Sequence, residues 1–245
     1  MGKLTCKSFC IAAAMICAVA APAIARDVTV FAAASLRGAL DEVAALSADT
    51  VVISYGGSGA MARQVAQGAP ADLVVLANPQ WMDWLHAQGV VAPDAAAPLL
   101  TNTLVLIGHS GPEMPNPDAD ALLARLNGGR MAMGQRDAVP AGVYARAWLE
   151  HIGAWSTVEP HLAEVENVRA ALALVARGDA PLGVVYGSDA GAEPKVSVLW
   201  RIPSEQHPAI SYPAAALTPE GAQFMTTLRS PQAAAIFVRH GFSLP

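Results

Sequence analysis

The amino-acid sequence predicts an α/β protein of two lobes, each built on a mostly parallel sheet with helices on both faces. Three observations carry that expectation. Short apolar runs of strand length alternate along the chain with segments whose apolar residues recur at helical spacing. The composition, 53% hydrophobic and 14% charged, suits a large buried core and excludes a disordered or fibrous chain. A length of 245 residues leaves room for two units of ordinary domain size, about 100 residues each.

The chain opens with a basic stretch (Lys3, Lys7), an apolar run from Phe9 to Ala21, and Ala23-Ile24-Ala25 before the polar Arg26-Asp27. That pattern reads as a signal peptide over residues 1–25, and hence as export to the periplasm. A membrane anchor needs about 20 apolar residues, whereas this run is shorter and is interrupted by Pro22. All three cysteines, Cys6, Cys10 and Cys17, lie in this segment. The mature chain is therefore expected to hold no disulfide, thiolate nucleophile or thiolate metal site. A lipid anchor on Cys17 is the weaker reading, because Ala14-Met15-Ile16 matches the leucine-led lipoprotein box poorly. The net charge of −5 argues against a nucleic-acid partner held on a broad basic face.

After the leader, Val28-Thr29-Val30-Phe31 predicts a buried strand, and Leu36, Leu40, Val43 and Leu46 a helix. Val51-Val52-Ile53 predicts the second strand, with a Gly-rich turn and a helix carrying Met61 and Val65. Leu73 to Leu76 is the third strand, and Trp81, Trp84 and Leu85 mark the packed face of the next helix. Leu104 to Ile107 opens a second α/β set, with a strand at Arg130 to Met133 and helices from Ala141 to Ile152 and Asn167 to Arg177. Strands follow at Leu182 to Tyr186, Val196 to Trp200 and Tyr212 to Leu217. Two helical stretches, Glu220 to Leu228 and Gln232 to His240, close the chain. The expected division is one lobe of residues 26–103 with 213–245 and a second of 104–212.

The most conspicuous motif is Tyr55-Gly56-Gly57-Ser58-Gly59-Ala60-Met61-Ala62 at a strand–helix junction. As a dinucleotide fingerprint, Gly57-x-Gly59-x-x-Ala62 matches loosely, but the next strand ends in Asn78 where a carboxylate is wanted. A P-loop is excluded because no Gly-Lys-Ser/Thr follows. Gly56-x-Ser58-x-Ala60 is one residue from a hydrolase nucleophile elbow, with His207 and His240 as available bases but no HGGG-like oxyanion segment. The remaining reading is anion capture by unpaired N–H groups at a helix start, where glycine lets a ligand approach closely. Phe31-Ala32-Ala33-Ala34-Ser35-Leu36 is a junction of the same character, with Ser35 in the expected N-cap position. Each junction alone is also explained as a structural cap. The six histidines show no metal-ligand spacing, and Arg169 reads equally as a surface charge or an anion partner.

Several segments carry a family resemblance: Val30 to Leu36, Gly68-Ala69-Pro70-Ala71-Asp72-Leu73 with Trp81-Met82-Asp83, and Leu126 to Arg130. Val139-Pro140-Ala141-Gly142-Val143-Tyr144-Ala145, Val168 to Val175, Ala180 to Asp189, Ser230 to Ala234 and Gly241-Phe242 extend it. In order and over nearly the whole chain beyond the leader, the sequence resembles the periplasmic molybdate-binding proteins of ABC-type importers. The resemblance implies a type II periplasmic-binding fold that clamps molybdate or tungstate between its lobes. It implies delivery to an ABC permease and its ATPase, no catalysis, no cofactor and no metal beyond the oxyanion itself, and a monomer. Carried over by position, the ligand contacts are Ser35, Ser58, Ala141, Val168 and Tyr186. The first four would donate backbone N–H, the serines also hydroxyls, and Tyr186 its phenol. The chain departs from some members in having Gly56-Gly57-Ser58-Gly59 where they have a run of serines. Pro140 before Ala141 and Asn167 before Val168 suit helix starts, so four of the five positions fall at expected helix ends. Four ends of roughly +0.5 each would offset about two negative charges without a lysine. The alternatives are another tetrahedral oxyanion such as sulfate and, in a different class, an exported serine hydrolase using Ser58.

Overall fold

The computed structural model describes residues 27–92 and 94–245; the expected leader, with its three cysteines, lies outside the described residues. The chain first lays down β1 (Val28–Ala33), a 3₁₀ turn (Ala34–Leu36), α1 (Ala39–Ala44), β2 (Val51–Gly56) and α2 (Ser58–Ala66). It continues with β3 (Leu73–Val75), α3 (Pro79–Ala87) and β4 (Ala96–Thr101). A second set follows: β5 (Leu104–Gly108), α4 (Ala119–Leu126), β6 (Met131–Gly134), α5 (Pro140–His151) and α6 (Trp155–Val158). β7 (Leu162–Val165), α7 (Val168–Ala176), β8 (Leu182–Tyr186), α8 (Gly187–Gly191) and β9 (Ser197–Ile202) complete it. The chain then returns through β10 (Ser211–Ala216), α9 (Pro219–Leu228) and α10 (Pro231–Arg239).

These strands form two five-stranded mixed sheets, ordered β2-β1-β3-β10-β4 and β7-β6-β8-β5-β9. In each, three neighbouring strands pair in parallel, and one reversed strand, β10 or β5, joins them antiparallel to an edge strand, β4 or β9. The two sheets repeat one plan. The chain leaves the first sheet between Thr101 and Leu104 and returns to it between Ile202 and Ser211. β10 begins two residues before the expected return at 213.

Alternation along the strands explains the layering. In β1 and β3, Val30, Ala32 and Val75 belong to the large core, which also takes in α1, α9 and α10. Phe31, Val74 and Leu76 point to the other face, where Met61, Val65, Met82 and Leu85 of α2 and α3 cover them. Helix starts follow the sequence signals: Asn78, Asp118, Asn167, Thr218 and Ser230 each accept an N–H from the first turn.

Several details depart from expectation. α1 ends at Ala44, leaving Leu46 exposed instead of on a core-facing stripe. β4 carries Pro98, which an edge strand tolerates because one side of its backbone needs no partner. Pro213 lies inside β10, where the pairing with β4 shifts register between Tyr212 and Pro213. That irregularity is the kind of place where a missing N–H does no harm.

The two crossings are tied together by side chains. The Asn102 amide donates to Ser188 Oγ at 2.8 Å and to the Tyr212 hydroxyl at 3.2 Å. It thereby links the outgoing crossing to α8 and to the returning β10.

Candidate functional site

The C-terminal ends of the parallel strands in both sheets face one crevice, the usual location of ligands in open α/β sheets. A small cavity lies there, formed by residues of both sheets. The first sheet supplies Ser35, Gly57, Ser58 and Ala77 to its wall, and the second supplies Ala141, Val168 and Tyr186. All five sequence-derived positions therefore line one cavity. No residue of its lining carries a formal charge.

The two serines are held by different neighbours. Ser58 is the first residue of α2, after Gly57 as N-cap. Its Oγ accepts the Ala77 N–H at 2.9 Å, which leaves its own hydrogen free to donate elsewhere. Ser35 is not an N-cap: Ala33 holds that position, and Ser35 sits inside a three-residue 3₁₀ turn. Its Oγ instead lies 3.0 Å from the Tyr212 hydroxyl. Either hydroxyl can be the donor in that pair; when Tyr212, which also accepts from the Asn102 amide, turns its hydrogen to Ser35, the Ser35 hydrogen is left for the cavity.

Ala141 and Val168 have side chains without polar chemistry, but both are in the first turn of a helix. Ala141 follows Pro140 in α5, and Val168 follows the Asn167 cap in α7, whose side chain is occupied by the Ala170 N–H at 2.9 Å. First-turn N–H groups have no intrahelical acceptor and are free for a ligand. Three helices of eight residues or more, α2, α5 and α7, thus present N-termini here. The fourth expected helix end is the short turn at Ser35, too short to sum a macrodipole. The dipoles therefore amount to roughly +1.5, and hydroxyl donors must supply the rest.

Tyr186 ends β8 and is wholly buried, yet its hydroxyl makes no hydrogen bond with the protein. Burial pushes its phenol well above the ordinary range, and nearby Tyr212 adds to that, so it stays a neutral donor. A buried hydroxyl without a partner is costly, and a ligand acceptor in the cavity would relieve it.

Glycines set the approach of the walls. A Cβ on Gly57 would lie 2.4 Å from the Glu166 carbonyl oxygen, which comes from the other sheet's half. A Cβ on Gly142, in the first turn of α5, would lie 2.1 Å from the Gly134 carbonyl oxygen at the end of β6. The departure from a serine run thus lets backbone from the two halves meet. Across the same junction, Trp81 Nε1 donates to the Ala138 carbonyl at 2.9 Å, so Trp81 does more than pack its helix face.

Sequence reasoning missed Tyr212, Asn102 and Asp189. Asp189, on α8, is fully buried, and its carboxyl is lifted to about 6 by burial, against the pull of Arg169. Arg169 is outside the cavity lining; its Nε lies 2.6 Å from Asp189 Oδ1. A carboxyl held above its usual value near 3.8 binds its proton more tightly in the folded chain than in the unfolded one. Its contribution to stability is then complete below that usual value and is lost as pH rises through about 6. The stability advantage of the parent over Asp189→Asn should accordingly shrink between pH 4.5 and 7. Urea midpoints of the ligand-free proteins check this, and an advantage that grows with pH would reverse the sign.

The two histidines considered as bases for Ser58 have other partners: His207 bonds to the Pro208 carbonyl oxygen and His240 pairs with Glu42. Among the described residues no cluster of His, Cys, Asp and Glu could hold a metal ion.

Two α/β halves joined by two crossings and enclosing a small, neutral, donor-lined cavity define a protein that captures a solute rather than transforms it. The chain belongs to the bacterial extracellular solute-binding protein family, whose family model matches residues 28–243. It is 41% identical to the Molybdate-binding protein ModA of Escherichia coli (strain K12), with 95% of each chain covered. It is 34% identical to the protein of the same name in Haemophilus influenzae, covering 88% of this chain and 89% of that relative. The solved periplasmic molybdate-binding protein of Azotobacter vinelandii superposes with a TM-score of 0.76 at 26% identity, covering 89% of this chain and 99% of that one.

Proposed function

We propose that this chain captures molybdate, and tungstate with it, between two lobes and delivers it to the permease and ATPase of an ABC importer. The lobes are residues 26–103 with 213–245, and 104–212. The protein works in the periplasm as a monomer after loss of residues 1–25. One observation carries the reading: a small cavity, lined by Ser35, Ser58, Ala141, Val168 and Tyr186, offers hydrogen-bond donors from both halves and no formal charge. The relatives named for molybdate support the choice of ion.

A buried dianion needs partners on every side, because an unpaired charge is prohibitively costly to desolvate. Three helix N-termini, two serine hydroxyls and the Tyr186 phenol meet that need with neutral groups. Because the donors are fixed, a smaller tetrahedron such as sulfate would make longer and weaker bonds to the same groups. A protonated oxyanion such as hydrogen phosphate would bring a donor to a lining that has no carboxylate to accept it.

A ligand that binds only the folded chain stabilises it by about 2.7 kcal/mol at a hundredfold excess over its dissociation constant. Molybdate should therefore raise the melting temperature of protein first stripped of bound ligand. Isothermal titration should rank molybdate and tungstate above sulfate, and sulfate above phosphate. A melting curve unmoved by molybdate would overturn the assignment, and equal affinity for sulfate and molybdate would overturn the size argument.

A further inference from the structure

Behind the cavity wall lies a charged pair to which anion capture gives no role. Asp189 is buried on α8, and neither of its carboxylate oxygens accepts a well-aligned hydrogen bond. Its cationic neighbour is Arg169 on α7, with Nε 2.6 Å from Oδ1. Removing two charges from water for one ion pair seldom stabilises a fold more than apolar packing of the same volume. From that anchor the guanidinium also reaches across to the first sheet's half, where Nη2 donates to the Ser35 carbonyl oxygen at 3.4 Å. Each member adjoins the cavity lining: Arg169 directly follows Val168, Asp189 is on the helix that begins after Tyr186, and Ser35 lines the cavity itself.

We propose that Arg169, anchored by Asp189, is a positioning residue that latches the Ser35 turn to the start of α7 across the two lobes. The inference rests on the oxyanion reading above. The latch acts through the arrangement of donors and does not touch the anion. Its planar fork suits the task, since one edge faces the buried carboxylate while another nitrogen is left for the carbonyl. Losing the latch makes opening easier, so release should accelerate while capture, which begins from separated lobes, stays nearly unchanged.

The test compares molybdate association and dissociation rates, by stopped-flow tryptophan fluorescence, in the parent and three variants. Arg169→Met alone leaves a buried carboxylate unpaired and is expected to lose stability. The Arg169→Met/Asp189→Asn double variant removes both charges and should melt within a few degrees of the parent when ligand-free. If Arg169 is a latch, the double variant still releases molybdate about tenfold faster, with association within about twofold of the parent. Arg169→Lys, which keeps the charge but not the fork, should fall between the two. A double variant of normal stability that releases molybdate as slowly as the parent overturns the proposal and leaves Arg169 a purely structural residue. If the parent itself shows no molybdate signal, the oxyanion reading fails first and takes the latch with it.

Discussion

Replacing both Ser35 and Ser58 with alanine is expected to weaken molybdate binding by a hundredfold or more. On the proposed reading each hydroxyl is a neutral donor to a charged acceptor, and losing one such bond typically costs about 1.5–3 kcal/mol. The two together remove about 3–6 kcal/mol if their effects add, or roughly two to four powers of ten in affinity. Both serve one ion, so the lower end is the better expectation. Each substitution also disturbs the free protein. Without Ser58 Oγ the Ala77 N–H loses its acceptor, and without Ser35 Oγ the Tyr212 hydroxyl keeps only the Asn102 amide. Melting of the ligand-free variants must therefore accompany titration. Single variants that bind molybdate as tightly as the parent would show that the hydroxyls face away from the ion.

Gly142→Ala should damage binding by roughly five- to a hundredfold through a residue that offers the ligand nothing. The added methyl would stand 2.1 Å from the Gly134 carbonyl oxygen and 2.6 Å from that of Gln135, both backbone atoms. Overpacking of that kind typically costs about 1–3 kcal/mol, and relief requires the start of α5 to move off the end of β6. The Ala141 N–H would move with it. Gly221→Ala is the matched control, because its methyl would meet the Asp72 carbonyl oxygen at 1.8 Å, away from the cavity lining. Both variants should lose stability, but only Gly142→Ala should lose affinity in the folded fraction. Equal affinity for the two would separate Ala141 from the anion.

What could be read from the chain follows what is local. Val28 to Phe31, Leu73 to Leu76 and Leu182 to Tyr186 announce strands through mostly apolar runs, and Asn167 announces α7 through its capping side chain. β4 escaped notice because Pro98 and its alanines read as loop until β10 pairs with it. β7 is only four residues long and is interrupted by Glu164, so its place beside β6 is what makes it a strand. The five cavity positions came from motif resemblance and helix-start chemistry, since each sits at a junction with a local signature. The groups that orient them could not be found that way. Tyr212 is 177 residues from Ser35 in sequence, and nothing around it distinguishes its hydroxyl from any other on a strand. Asp189 reads as a surface carboxylate until α8 is packed against α7 and β8.

The two crossings have a consequence best put in the language of chelation. Ser35 and Ser58 hang from one sheet, and Ala141, Val168 and Tyr186 from the other, so on the proposed reading each half alone would be an incomplete set of ligands. Between Thr101 and Leu104 only two residues separate β4 from β5, and Asn102 is pinned to both Ser188 and Tyr212. Were one half to seize the ion first, the second set of donors would be delivered at an effective concentration fixed by that short tether rather than by diffusion. The affinity of the whole then exceeds what either half would show, with no additional contact to the anion. The stiffness of residues that never touch the ion becomes part of its binding constant.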